Sequence, residues 1–237
     1  MTPPLRFAHY VHDGREEAIV QTGPVDAPRH LLIIPPLFDE MNRMRRTLIL
    51  AMRDAAGRGL TCSLIDLPGC HESMAEMAAQ TLDHWRRAAA AAAHSCGATH
   101  VVSVRGGGLI DSGVPLPRWR LSPVAGAPLI KAMLRTRIAA EKEAGRAITT
   151  DDLRAMAAKD GVITLGGTTV SQAMWDALES ATIDSEDALR TVQVGAEAGP
   201  DTLIGRALWM RAEPGEDTAM ASAMAADWDA WSGACGG

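Results

Sequence analysis

The chain is poor in the residues that mark several common classes of protein. It has four cysteines in 237 residues, Cys62, Cys70, Cys96 and Cys235. They form no CxxC pair and no zinc-type spacing, which excludes a disulfide framework or a zinc finger and fits reduced thiols in a cytoplasm. There is no basic excess, since 23 Lys and Arg stand against 29 Asp and Glu. Nucleic-acid backbones are bound by clustered positive charge that displaces counterions, so a generic nucleic-acid binder is excluded. The deficit is one-sided: residues 1–118 hold 12 basic and 12 acidic residues, leaving the whole acidic excess in the second half. No apolar run reaches the ~18–20 residues of a membrane span, and Met1 to Arg6 open no apolar stretch of the secretory type. A cytoplasmic location is the expectation. Tyr and Phe are scarce, one and two, against six tryptophans. All seven histidines fall at or before His100.

What remains is the balance of an ordinary globular protein, 47% hydrophobic and 22% charged, long enough for a substantial core. Arg6–His12 and Glu17–Gln21 flank Asp13-Gly14, a dipeptide that tolerates positive φ and predicts a hairpin. His30–Ile34 is a short, continuously apolar run, the mark of a strand buried on both faces, Thr61–Leu67 is a second buried-strand candidate, and His100–Val104 is a third such run. Between them, Asn42–Arg58 repeats apolar residues at Met44, Leu48, Met52 and Ala55, and Met74–Ser95 is Ala-rich before Gly97; both predict helices. Arg118–Leu121, Thr191–Val194 and Ala207–Arg211 are further strand candidates, and Asp217–Trp231 predicts a final helix. Strand and helix in alternation give a mostly parallel sheet of about eight strands with helices on both faces.

The rhythm changes between Pro123 and Arg190. Leu129, Ile130, Met133, Leu134 and Ile138 mark one helix. Thr149-Thr150-Asp151-Asp152 can cap a second, and Ser171 opens a third that carries Met174, Trp175 and Leu178. Residues 125–190 thus read as an all-helical lid inserted into a core of residues 1–124 and 191–237.

The third buried run leads into Ser103-Val104-Arg105-Gly106-Gly107. That register matches the Gly-x-nucleophile-x-Gly elbow of an α/β-hydrolase, in which small flanking residues are needed because the turn leaves no room for Cβ atoms. The expected fold is therefore α/β-hydrolase-like, with Ser103 in place of the first glycine and Arg105 in place of the nucleophile. A guanidinium stays protonated and cannot attack a carbonyl. A hydrolase histidine follows its elbow in the chain, and none does here. The acid position can be filled by Glu197, but the Ser-His-Asp mechanism is not encoded.

Leu32-Ile-Ile-Pro-Pro-Leu-Phe-Asp-Glu-Met-Asn-Arg-Met-Arg-Arg46 and Asp66-Leu-Pro-Gly-Cys-His-Glu-Ser73, with Leu121-Ser-Pro-Val-Ala-Gly126 and the helical segment to Ala181, resemble the exosortase A system-associated hydrolases of the second type. The likeness spans roughly residues 30–185. It implies an α/β-hydrolase-like fold, an arginine that is usual at the elbow, and a setting beside exopolysaccharide and protein-sorting genes of Gram-negative bacteria. It implies no substrate. This sequence departs from the family at His71, where a glycine is expected, and in its short C-terminal part.

Several residues are candidates for a site. Arg105 suits bidentate capture of a carboxylate, phosphate or sulfate, or an internal ion pair with Glu40 or Glu197. Leu37 and Phe38 lie where one oxyanion N–H is supplied, and Gly106 would supply the other. Asn42 suits the N-cap of the following helix, with Asp39 and Glu40 at its positive end. Cys70 and His71 are adjacent, so their side chains diverge and do not make a nucleophile–base pair; His71 is a ligand-facing candidate. Trp119 and Trp175 fall near the lid, where an aromatic ring can stack on a sugar, although core packing is the commoner fate. No histidine pair has metal-ligand spacing, so neither metal nor cofactor is expected. Two readings follow: a pseudoenzyme that binds a small anionic or sugar-bearing ligand, or a protein partner through the lid, and a non-classical hydrolase or acyltransferase with Glu40 or Glu197 as base. A homodimer through the last helix is left open.

Overall fold

The structure, a computed structural model, describes residues 3–184 and 188–235. Asp13-Gly14 joins β1 (Arg6–His12) to antiparallel β2 (Arg15–Thr22), and both turn residues take positive φ, 48° and 73°. The three apolar runs become β3 (His30–Ile34), β4 (Thr61–Ile65) and β5 (His100–Val104), parallel to one another at the centre of the sheet. Nearly every residue in them is buried. Alternate side chains serve opposite layers: Leu31 and Ile33 pack with the residues of α1 (Asp39–Gly57), and Leu32 and Ile34 with those of α2 (Leu82–Cys96). β6 (Arg118–Leu121) extends the parallel set beside β5.

The segment that follows holds α3 (Gly126–Glu143), α4 (Thr150–Asp160), an antiparallel hairpin of β7 (Val162–Leu165) and β8 (Thr168–Ser171), and α5 (Gln172–Ser180). β9 (Ala188–Gly195) then pairs with β6, and β10 (Thr202–Ile204) closes the edge before α6 (Thr218–Ala234). The eight-stranded sheet runs β1-β2-β4-β3-β5-β6-β9-β10, antiparallel only in its opening strands. α6 lies along α1. Among the described residues, no helix is long and apolar enough to cross a membrane.

Local chemistry explains most boundaries. Thr149 and Asp152 form the reciprocal capping box that starts α4. Gly97 ends α2 at φ 65°, the left-handed conformation that glycine adopts without a Cβ clash.

Four expectations are corrected. The segment after β6 is not all helical: Gly166-Gly167, at φ 54° and 85°, turn a hairpin inside it. Residues 185–187 of the expected lid lie outside the described residues. The last strand is Thr202–Ile204, whereas Leu208–Met210 form a 3₁₀ turn whose Leu208 and Trp209 pack inward. α2 starts at Leu82, not Met74, because Thr81 is its N-cap and accepts from the His84 N–H. Asn42 sits within α1, one turn past a Phe38 N-cap that makes no side-chain cap bond. Trp228 and Trp231 of α6 are both buried in this chain, Trp228 edge-on to Trp119 at 5.8 Å.

Candidate functional site

β5 delivers Arg105 at φ 55°, a sharp reversal at the carboxyl edge of the sheet. Left-handed backbone costs a side-chain-bearing residue roughly 1–2 kcal/mol, so surrounding contacts must hold it. The flanking positions show how. A Cβ on Gly107 would meet the Pro35 and Ile34 carbonyl oxygens at 2.6 and 2.8 Å, so only glycine lets the turn close on β3. Ser103 donates to Asp111 (2.7 Å), and Asp111 also receives Arg120 through Nε (2.8 Å) and Nη2 (2.7 Å). That buried network anchors the turn from below. Gly106, Gly107 and Gly108 then form a 3₁₀ turn rather than an α-helix, consistent with the low helix propensity of glycine.

The Arg105 side chain is committed within the protein. Nε and Nη2 donate to the two Glu40 carboxylate oxygens, each at 3.1 Å, and Nη1 donates to the Ser122 carbonyl at 3.0 Å. Its guanidinium lies 4.6 Å from the centre of the Trp209 ring. Of the two acids considered for this arginine, Glu40 is the partner. Glu197 is exposed in the turn after β9. Above the elbow, Leu37 and Leu129 cover Gly106, within 2.7–3.0 Å of where a Cβ would stand.

The open volume lies to one side. A cavity of about 750 Å³ runs between the β3–α1 loop, the loop after β4 and the β7–β8 turn. Its apolar wall includes Pro36, Leu37, Phe38, Leu67 and Met77, and its polar groups include Asn42, His71, Glu76, Thr168 and Thr169. A smaller pocket of about 90 Å³ adjoins it, with Glu40, Arg43, Leu129 and Trp209 on its wall. Leu37 and Phe38 border both; Arg105, Gly106 and Glu197 border neither. Neither carboxylate considered as a base lines the larger cavity.

His71 is the best-placed of the expected residues. Its φ is 49°, in the left-handed region that favours glycine. Nε2 lies 3.2 Å from Asn42 Oδ1, and Nδ1 lies 3.7 Å from Asp66 Oδ1. Asp66 is buried, accepts from Arg45 at 3.0 Å, and leaves Oδ2 without a hydrogen-bond partner. Burial pulls the His71 pKa below its ordinary value, with Arg45 adding to the shift and Asp66 and Glu72 opposing it. The ring is thus neutral at pH 7. Burial, with Asp66 and Glu17 adding to it, pushes the Cys70 thiol up to about 12, so it is no nucleophile.

The sequence reading missed Asp66, Asn42 as a wall residue, and the Thr168-Thr169 edge. Asp66 directly follows a buried strand at the sheet's carboxyl edge, a signal available in the sequence. Gly166-Gly167 between two β-branched stretches was the corresponding signal for the hairpin.

No protein-family model matches the chain, and no curated protein matches it. Solved structures do. The chain is similar to Est1E of Butyrivibrio proteoclasticus, in a structure with ferulic acid bound, at 13% identity over 74% of this chain and 72% of that one, with a TM-score of 0.50. A protein of Agrobacterium vitis S4 assigned as a hydrolase gives 16% identity over 75% and 71%, with a TM-score of 0.49. With its strand order, its left-handed turn after β5 and this likeness, the chain has the α/β-hydrolase fold.

Proposed function

We propose that the chain is a ligand-binding, non-hydrolytic protein on a hydrolase fold, and that its ligand is an uncharged, hydroxyl-bearing molecule with an apolar portion. One observation carries this reading: the nucleophile position holds Arg105, and its guanidinium is spent on Glu40, Ser122 and Trp209. The same commitment argues against anion capture by Arg105. The cavity wall points the same way. Among the described residues no lysine or arginine lines it, while Asn42, His71, Thr168 and Thr169 offer neutral hydrogen-bonding groups beside an aliphatic and aromatic surface. A phosphate or carboxylate would meet Glu76 there without a compensating cation. A sugar-bearing molecule with an apolar tail suits both halves of the wall. The resemblance of residues 30–185 to exosortase-associated proteins supports a ligand drawn from exopolysaccharide or protein-sorting chemistry, with the segment after β6 as the face for a protein partner.

A second reading rests on His71, a neutral imidazole on the cavity wall with a buried carboxylate behind it, the arrangement of a base that activates water. Calorimetric titration with alkyl glycosides below micelle formation, free sugars and alkyl phosphates, run beside p-nitrophenyl ester turnover, separates the readings. The expected result is alkyl-glycoside binding that weakens in Asn42→Ala and His71→Gln, with ester turnover at buffer background. Alkyl-phosphate binding that vanishes in Arg105→Ala would restore anion capture. Ester turnover abolished by His71→Gln would establish catalysis instead.

A further inference from the structure

The histidines carry no metal spacing along the chain, yet the fold brings two of them together. His12 ends β1, Asp13 follows in the hairpin turn, and His84 lies in the first turn of α2. The two imidazole rings are 4.6 Å apart between centres. The His12 side chain is 7% exposed and the His84 side chain 20%, and Nε2 of each is buried without a hydrogen-bond partner. One oxygen of Asp13 faces both nitrogens, 3.7 Å from His12 Nε2 and 3.1 Å from His84 Nε2. The shorter contact is close enough for a hydrogen bond but not aligned as one, so the in-plane direction of the ring nitrogen is not used by the carboxylate.

We propose that His12 Nε2, His84 Nε2 and Asp13 Oδ2 form a binding site for a borderline divalent transition-metal ion of the Zn²⁺ class. In tetrahedral coordination, metal–ligand bonds of about 2.0–2.1 Å place ligand atoms about 3.3 Å from each other. The distances of 3.1 and 3.7 Å bracket that spacing, and the three atoms all lie within 4.8 Å of one another. Two imidazoles and one carboxylate are a donor set for Zn²⁺, Co²⁺ or Ni²⁺ rather than for Mg²⁺ or Ca²⁺, which take oxygen.

The backbone holds each donor in place. The His84 N–H is bonded to the Thr81 cap at 3.1 Å, and Asp13 is fixed by a positive-φ turn. Glu17 and Arg87 also act on His12 and offset each other in charge. Three protein ligands leave a coordination position for water. None of the three lines the cavity beside the elbow, so the site is separate from the ligand pocket. A bound ion would fasten the β1–β2 turn to the start of α2 and raise stability by mass action.

The test is calorimetric titration of chelator-treated protein with ZnCl₂, with visible absorption of the Co²⁺ form and thermal melts in Zn²⁺ and Mg²⁺. The expected result is one Zn²⁺ per chain, tetrahedral Co²⁺ bands, and a melting temperature that rises with Zn²⁺ and not with Mg²⁺. Asp13→Asn keeps a residue suited to the turn and His84→Gln alters a half-buried position, so both variants should fold, as circular dichroism would check. Each should weaken Zn²⁺ binding by at least about tenfold, the loss found even for groups that only support a ligand. His9→Gln, at an exposed residue of β1, should leave binding unchanged. Absence of stoichiometric Zn²⁺ binding by the native chain would overturn the proposal. So would undiminished binding in a correctly folded His84→Gln variant.

Discussion

Arg105 and Glu40, 65 residues apart in the chain, meet through two parallel hydrogen bonds of 3.1 Å. The backbone turn that in a hydrolase aims a nucleophile here aims a cation at a carboxylate. The side chains are only 16% and 15% exposed, so each charge depends on the other.

Removing one partner should therefore cost more than removing both. Glu40→Gln is expected to lower stability by about 2–3 kcal/mol, somewhat less than the ~3–5 kcal/mol of breaking a fully buried pair. Arg105→Leu should do the same. The double variant Glu40→Gln/Arg105→Leu should lose less than either single variant, a coupling that a double-mutant cycle in urea would read directly.

Restoring a hydroxyl at the elbow should not restore hydrolysis. Arg105→Ser places a nucleophile type after β5, but no histidine follows it in the chain to take its proton. Turnover of p-nitrophenyl acetate is expected to stay at the native level; a large gain would mean that an imidazole from earlier in the chain reaches the elbow.

Two glycines should respond differently to alanine. Gly107→Ala drives a Cβ into backbone carbonyls of β3 and its loop, and a loss of about 3 kcal/mol or more is expected, at the top of the usual overpacking range. Gly97→Ala meets nothing within 4 Å and bears only the strain of φ 65°, about 1 kcal/mol. Denaturant midpoints measured side by side would show the order.

Acidification from neutral pH should destabilise the fold through its buried histidines. His71, His30 and His100 all have pKa values below the ordinary 6.5, chiefly because burial disfavours the charged ring. Below pH 6.5 the unfolded chain takes up protons that the folded chain refuses. Their contribution is complete above about pH 6.5 and is lost as pH falls towards the folded values. Unfolding free energy should decline from pH 7.5 to 5.5, and His71→Gln should flatten part of that decline. Asp217, held below the ordinary carboxylate range by the Met220 N–H and Arg206 against the effect of burial, acts only in more acid solution.

Much of this architecture is legible in the chain because it is enforced locally. His30–Ile34 and His100–Val104 are dominated by apolar residues since both of their faces are covered, and Thr149 and Gly97 carry the chemistry of their helix ends. The elbow is legible from spacing, and Glu40 was one of two acids that could answer Arg105. What escapes a sequence reading is set by tertiary contact. α1 begins at Phe38 without a side-chain cap, so Asn42 looks like the better start. β7 and β8 have four residues each, too few for a clear period of two. His12 and His84 are separated by most of the first half of the chain, and only the packing of α2 against β1 joins them.

The β7–β8 turn gives the cavity one of its walls, while the remaining walls belong to loops at the sheet edge. Whatever occupies that space touches both pieces at once and acts as a clasp between them. Occupancy would then be recorded at a distance from the elbow, as slower amide exchange at Gly166 to Thr169 and resistance of that turn to proteases. In such a molecule the hairpin would report on a ligand even where no bond is ever broken.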